Sequence, residues 1–90
     1  MQTDDLKVSA YPNPFKDKVS FKFTSPVSGK AVLEAYDLTG RKLATIYNGN
    51  VDAGVERAVT YNIPAGARVT MMYKLTVGDK SYHAMLTPEK

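Results

Sequence analysis

The sequence predicts an all-β protein whose strands pack as two sheets in a sandwich. Seven segments alternate apolar and polar residues, which is the period-two pattern of a strand with one buried face. Turn-forming residues, mainly Gly, Pro, Asn and Asp, separate these segments at intervals of about 8–12 residues, the spacing typical of a sandwich. No long stretch shows the apolar period of a helix. We therefore expect about seven antiparallel strands.

Length and composition limit what this domain can be. The 90 residues make a single domain spanning 1–90, in which residues 1–7 are expected to be a linker or a cloning remainder. A domain of this size buries about 60–65% of its unfolded surface, so its core is thin. The chain has no Cys, and neither disulfides nor thiol chemistry is expected.

Charge and hydropathy argue against two kinds of partner. Net charge is +3, from 12 basic and 9 acidic residues, and the lysines are scattered along the chain. Without a basic cluster, binding to nucleic acid or to a membrane surface is not expected. No apolar run approaches the ~20 residues of a membrane span, so direct membrane insertion is not expected either. The first residues also lack the basic start and apolar core of a signal peptide.

The first two predicted strands cover residues 6–10 and 19–24. Residues 11–15 (YPNPF) lie between them and contain two prolines, which lack N–H groups and push the preceding residues towards extended conformations. This segment is predicted to be a kinked turn. In the second strand, Phe21 alternates with polar residues and is predicted to face the core.

The third predicted strand covers residues 31–37 and has one clearly apolar face. Leu33 is assigned to the inner face because the opposite face contains Glu34, a residue type that is seldom buried without a partner. This strand leads into the most sharply defined turn of the sequence.

That turn is predicted to join the third and fourth strands as a hairpin. Residues 38–40 suit a three-residue loop that ends with Gly40 in the left-handed region. Asp37 stands at the entrance, where its carboxylate can accept hydrogen bonds from the loop N–H groups. The fourth strand covers residues 43–47, but the pattern does not separate its faces. Residues 48–54 are predicted to be a loop that begins with a tight Asn-Gly turn.

Three further strands are predicted in the C-terminal half. The fifth covers residues 55–61, and Arg57 on its apolar face favours an edge strand or a bulge. Residues 63–66 (IPAG) form a turn with Pro fixing φ. Gly78 leads a two-residue loop that suits a type II′ hairpin turn. The strands on its two sides cover residues 69–77 and 80–86.

Residues capable of catalysis or metal binding are few. His83 is the only His, and a triad would require it to lie near a Ser or a carboxylate. Its parity with Ser81 and Met85, opposite Tyr82, favours an outward strand residue instead. Asn48, Asn50 and Asp52 could offer oxygen ligands to Ca²⁺, but no acidic residue follows at a spacing that would close the site. The same residue types favour ordinary loops. We expect no enzyme activity, no metal and no cofactor.

The six tyrosines allow another interpretation, a stacking platform for sugars as in sandwich-shaped carbohydrate-binding modules. Tyr is also favoured in strands because it combines an apolar ring with a polar tip. The absence of Trp weakens the sugar platform. The alternative function is therefore a carbohydrate-binding or adhesive accessory module of a surface protein. The tyrosines are Tyr11, Tyr36, Tyr47, Tyr61, Tyr73 and Tyr82.

Four segments, taken together and in this order, resemble the C-terminal sorting domain of the type IX secretion system, the Por secretion system of Bacteroidetes. They are residues 11–15 (YPNPF), 36–43 (YDLTGRKL), 63–66 (IPAG) and the closing hairpin at 78–80 (GDK). The resemblance extends from about residue 8 to residue 90. It implies an immunoglobulin-like β-sandwich that follows a cargo domain in the same chain.

The resemblance also implies a function. Such domains are recognised by the translocon of the outer membrane and by a cell-surface sortase, which usually removes them. The cargo passes through the periplasm and the outer membrane and is secreted or kept at the cell surface. The domain itself is not an enzyme. The positions that match the family's motifs are Pro12, Asn13, Pro14, Tyr36, Asp37, Leu38, Gly40, Arg41, Gly66 and Lys90.

Two departures from the family pattern concern the C-terminal half. Residues 67–73 (ARVTMMY) replace the usual Val-Tyr pair after the IPAG-type turn, and residues 87–90 (TPEK) extend the chain beyond the last strand. A retained domain in a component of the secretion apparatus is therefore a further alternative. Residues 87–90 supply no core residue by the pattern, so their removal is expected to leave the fold intact. The outer edge of the last strand is expected to offer unpaired backbone groups to a partner strand. The alternative is an edge that is merely protected, by Lys80 at one end and Pro88 at the other.

Overall fold

A computed structural model describes residues 6–89, which form two antiparallel sheets packed as an immunoglobulin-like sandwich. One sheet has three strands in the order β1-β2-β5, and the other has four in the order β4-β3-β6-β7. The predicted all-β fold of about seven strands is confirmed. The strands are β1 (Lys7–Tyr11), β2 (Lys18–Thr24), β3 (Gly29–Asp37), β4 (Lys42–Val51), β5 (Arg57–Asn62), β6 (Met71–Val77) and β7 (Lys80–Leu86), with a 3₁₀ turn at Ala65–Ala67.

The core lies between the two sheets and is built from alternate residues of the strands. Phe21 and Leu33 are both fully buried, as the alternation predicted. The Phe21 ring meets the Tyr73 ring edge-on across the sheets, with centroids 5.0 Å apart and planes at 72°. The buried hydrophobic set is Leu6, Phe15, Val19, Phe21, Phe23, Ala31, Leu33, Ala35, Val51, Ile63, Met71, Tyr73, Leu75, Val77 and Leu86.

The prediction for residues 48–54 is wrong over its first part, because β4 continues through Asn48 and Gly49 to Val51. Asn48 pairs with Val32 and Gly49 with Ala31, so this Asn-Gly pair extends a strand and does not turn it. Val51 is buried, which anchors the strand end in the core. Packing against β3 therefore overrides a local turn preference here.

The faces of β4 could not be separated in the sequence because the strand contains two irregularities. Its register against β3 shifts between Leu33 and Glu34 and again between Ala35 and Tyr36. Each bulge adds one residue and reverses the alternation that follows it. Odd-numbered and even-numbered residues of β4 therefore do not stay on the same face along the strand.

Several predicted strand limits differ from the observed ones. Leu6 is buried and Lys7 begins β1, so the expected linker over residues 1–7 does not hold for these two residues. Residues 1–5 lie outside the described part. Val55 and Val69 are exposed and precede β5 and β6 rather than belonging to them. β5 is an edge strand, as its Arg57 favoured.

Gly78 confirms the predicted turn between β6 and β7. Its φ is 62°, within the left-handed region, and no non-glycine residue has positive φ within residues 6–89. Asp79 therefore has negative φ, and the combination is that of a type II′ turn. Among the described residues, no helix is long and apolar enough to cross a membrane.

The thin core makes the domain sensitive to loss of large side chains. We expect Phe21→Ala and Leu33→Ala each to lower the free energy of unfolding by about 2–5 kcal/mol, because each leaves a cavity among close-packed residues. A small domain has only about 5–15 kcal/mol in total. Denaturant titration with Lys22→Ala, an exposed neighbour on β2, as control measures the difference. Midpoints equal to that control would contradict the assigned core.

Candidate functional site

Three of the four segments on which the resemblance rests lie at one end of the sandwich, which we call the motif end. The β3–β4 hairpin reaches this end, where Asp37 pairs with Met71 at the start of β6. Met71 in turn pairs with Leu86 at the end of β7. The 3₁₀ turn that contains Gly66 immediately precedes β6, and so it lies at the same end.

The opposite end carries the remaining motif. The β6–β7 turn at residues 78–79 follows Val77, which pairs with Ala31 near the start of β3. The closing GDK hairpin is thus separated from the other three segments by the length of the strands. Nine of the ten positions singled out in the sequence lie at the motif end, and Lys90 lies outside the described residues.

At the motif end, the β3–β4 turn has the predicted geometry. The Gly40 N–H donates to the Asp37 carbonyl at 3.0 Å, and the Asp37 N–H donates to the Arg41 carbonyl at 2.9 Å. This is a type I turn followed by a bulge, with Gly40 at φ 93°. Leu38 is held at the tip with its side chain in solvent.

The Asp37 carboxylate holds this loop together. Its Oδ1 accepts from the Thr39 N–H at 2.9 Å, from the Thr39 hydroxyl at 2.6 Å and from the Arg41 N–H at 2.9 Å. The hydroxyl and backbone donors favour the ionised form and lower the pKa of Asp37 to about 2. The Arg41 guanidinium also reaches Oδ2 at 3.3 Å, but it is largely exposed, so that ion pair adds little.

Tyr36 fixes the base of the same hairpin through Glu34. The Tyr36 hydroxyl donates to Glu34 Oε1 at 2.7 Å, and Lys42 Nζ lies 3.3 Å from Glu34 Oε2. The hydroxyl donor and the ammonium group lower the pKa of Glu34, and the same carboxylate raises the pKa of Tyr36. This network lies on the outer face of the four-stranded sheet, where it joins β3 to β4.

Asn13 links the YPNPF turn to the end of β7. Its side-chain Nδ2 donates to the Met85 carbonyl at 3.2 Å, and its Oδ1 accepts from the Thr87 N–H at 3.0 Å. Pro12 and Pro14 flank it on exposed backbone, and both of the peptide bonds that precede them are cis. The turn is therefore not a free loop but is bound to the C-terminal segment.

Phe15 makes a second link to that segment, through its backbone. The Phe15 N–H donates to the Thr87 carbonyl at 2.8 Å, and the Glu89 N–H donates to the Phe15 carbonyl at 2.6 Å, around a parallel bridge to Pro88. The Phe15 side chain is fully buried. Residues 87–89 thus pair with the YPNPF turn through their backbone, although none of the three is buried in the core. That their removal leaves the fold intact stays a prediction.

The motif end also carries most of the exposed apolar side chains. Leu38 is 61% exposed, Met85 48%, Val69 47% and Tyr11 45%. All four lie at or beside the turns and strand ends described above. The sequence motifs contain Leu38 and Tyr11, but they give no signal for Met85, whose carbonyl accepts the long-range hydrogen bond from Asn13.

The other candidate residues do not form a site among the described residues. His83 is exposed on β7, opposite Lys74 on β6. Asn48 and Asn50 lie on β4 rather than in a loop, and no three His, Asp or Glu side chains within residues 6–89 cluster as metal ligands.

The tyrosines do not share one surface. Tyr73 is buried against Phe21, and the Tyr47 ring meets Phe23 edge-on with centroids 5.5 Å apart. Tyr36 is bound to Glu34 on the outer face. This distribution spreads the rings between the core and the surface and gives no flat stacking platform.

Comparisons of the chain with protein-family models, with curated proteins and with solved structures found no match.

The lowered pKa of Asp37 predicts a contribution to stability that depends on pH. In the unfolded chain this carboxyl has a pKa near 3.8, and in the folded chain near 2. Its stabilisation is fully present above about pH 4 and is lost as the pH falls from about 4 to about 2, because the unfolded chain takes up the proton first. Asp37→Asn should therefore flatten the profile of unfolding free energy against pH across that window.

Denaturant titrations at a series of pH values test this expectation. Asp52→Asn, which removes an exposed carboxylate beyond β4, controls for net charge. A profile for Asp37→Asn that keeps the wild-type slope between pH 4 and pH 2 would contradict the assigned hydrogen bonds.

The Asn13 contacts predict a specific effect at the chain terminus. Asn13→Ala should release Thr87 and lower the free energy of unfolding by about 1 kcal/mol, because two hydrogen bonds at an exposed position are lost. The clearest measurement is amide hydrogen exchange, in which the Thr87 N–H should exchange faster. Asn48→Ala, on the exposed side of β4, is the matched control. Unchanged exchange at Thr87 would argue against the link.

Proposed function

We propose that this domain is a folded secretion address, a C-terminal sorting domain of the type IX system. A translocon at the outer membrane and a cell-surface sortase would recognise it, and it would carry a cargo domain in the same chain to the cell surface. The observation that supports this most is the convergence of three separate motif segments at the motif end.

The chemistry of the motif end fits recognition by protein. Leu38 and Met85 offer apolar contacts, and Arg41, in the same turn as Leu38, offers a largely exposed guanidinium. Exposed apolar and Arg side chains are typical of protein interfaces. The Asp37 and Asn13 hydrogen bonds hold the loops beneath these side chains in place, and a rigid surface loses less free energy on binding.

Export of a reporter tests the function. A soluble reporter would be fused ahead of residues 1–90 and produced in a bacterium that has a type IX system, and again in a strain whose translocon is deleted. We expect the reporter at the cell surface or in the medium of the first strain and in the periplasm of the second. Retention in both strains would refute the proposal.

Substitutions in the fusion then test the motif end. We expect Leu38→Ala to reduce export several-fold with little change in stability, because this side chain is 61% exposed and surface substitutions seldom alter the free energy of unfolding by much. Val55→Ala is its matched control, an exposed aliphatic residue at the opposite end. Equal export by the two variants would show that the Leu38 side chain is not part of the recognised surface.

Replacing both Pro12 and Pro14 by Ala tests the turn. The rings restrict φ and thus help to hold Asn13 against the end of β7. We expect a folded domain, by circular dichroism, with reduced export. Normal export by the double variant would show that these two prolines are not needed for recognition.

A further inference from the structure

The outer edge of β7 is only partly covered. Met85 directs its carbonyl away from β6 to Asn13, so its peptide groups face the outer edge. In an antiparallel ladder alternate residues direct both peptide groups to the same side. The backbone groups of His83 and Ser81 therefore face this edge as well. Among residues 6–89, no strand pairs with β7 there.

The two edges of the four-stranded sheet differ in their protection. β4 contains two register shifts, and bulges of this kind discourage pairing with another chain. β7 pairs with β6 over seven consecutive residues without a shift. Its edge is thus regular and suited to accept another strand. Lys80 at one end and Pro88 at the other leave the middle of the strand open.

A cavity of about 310 Å³ adjoins this edge, lined by Leu6, Lys80, Ser81 and Tyr82. Leu6 precedes β1, an edge strand of the three-stranded sheet, so the cavity lies where the two sheets open towards solvent. Tyr82 is 37% exposed there, and its ring lies against Tyr73 at 6.2 Å between centroids. A residue paired opposite Tyr82 would direct its side chain to the same face and into this cavity.

The contacts at the far end of β7 indicate what kind of occupant this edge takes. The Asn13 side-chain amide binds Met85 and Thr87 with one donor and one acceptor, as a peptide unit of a neighbouring strand would. Phe15 then continues with true backbone pairing at Pro88. Amide groups of residues 13–15 therefore already pair with one end of this edge, and the backbone groups of Ser81 and His83 are the part still open to another strand.

We propose that an extended segment of the export machinery adds as a strand to β7 over Ser81 and His83. Its backbone would pair with the open edge, an apolar side chain would enter the cavity beside Leu6 and Tyr82, and an acidic residue would meet Lys80. This inference rests on the proposed function and names the chemistry of the partner. Backbone pairing supplies affinity in such complexes, and the side-chain pockets supply specificity.

The decisive variant is His83→Pro, compared with His83→Ala. Proline removes the His83 N–H, which faces the open edge, and leaves the pairing of β7 with β6 intact, since edge strands tolerate Pro on their outer side. Export of the reporter fusion by His83→Pro should fall about tenfold, whereas His83→Ala should match wild type because backbone pairing needs no particular side chain. Ser81→Pro and Ser81→Ala repeat the comparison two residues away.

A charge variant provides a test that does not depend on proline being tolerated. Lys80→Glu should lower export, whereas Lys30→Glu, an exposed position on β3, should not. Thermal unfolding shows which variants are folded. If both proline variants unfold, the Lys80→Glu result decides, and export equal to that of Lys30→Glu overturns the inference.

The outcomes separate this inference from the proposed function. If the wild-type fusion is retained in the cell whether or not the translocon is present, both the proposed function and the added strand are refuted. Export of the wild type together with equal export of folded His83→Pro and Ser81→Pro refutes only the added strand. A purified domain that sediments as a dimer, and as a monomer after His83→Pro, would identify a second copy of this chain as the occupant and overturn the proposal.

Discussion

The contact between the YPNPF turn and the C-terminal segment is the constraint on which one whole end of the sandwich depends. Asn13 and Phe15 bind residues 87–89 through side-chain amide and backbone groups, and the Phe15 ring fills the core beneath them. The chain therefore crosses from the three-stranded sheet to the edge of the four-stranded sheet before it returns as β2. This crossing closes the gap between the two sheets at the motif end. Along the same edge of the sandwich, towards the other end, the sheets stay apart and leave the cavity beside Leu6 and Tyr82.

The β3–β4 hairpin is stabilised in a different way. Its hydrogen bonds to Asp37 come from residues at most four positions away, so the loop geometry is encoded locally. The Asn13 bonds instead span 72 and 74 positions. The motif end thus combines a turn stabilised by its own residues with the Asn13 clamp, by which we mean the two hydrogen bonds of Asn13 to Met85 and Thr87. The clamp can form only when residues near both ends of the domain are folded together. Loss of Asp37 ionisation and loss of Asn13 should accordingly affect different parts of the same surface.

The two kinds of contact explain what could be predicted from the sequence. The hairpin turn, the inward faces of β2 and β3 and the Gly78 turn all follow from residue preference and period, and the structure confirms them. The faces of β4 did not follow, because two bulges break its period. The burial of Phe15 and the clamp by Asn13 did not follow either, since a local pattern contains no information about a partner more than seventy residues away. The gathering of the motifs is a tertiary property for the same reason.

Under the proposed function, the long-range contacts of the motif end imply that the receptor recognises the folded domain. A linear signal could be recognised in an unfolded chain, but the motif end does not exist there, because its segments come from residues 11–15, 36–41, 65–68 and 85–89. A receptor that contacts both the hairpin tip and the Asn13 turn therefore binds only chains in which β7 has joined the sheet. An added strand on β7 would add to this requirement, because β7 is held in its regular ladder by pairing with β6 over seven residues. Recognition would then select a completed fold, and loss of the clamp should reduce export more than its small effect on stability would suggest.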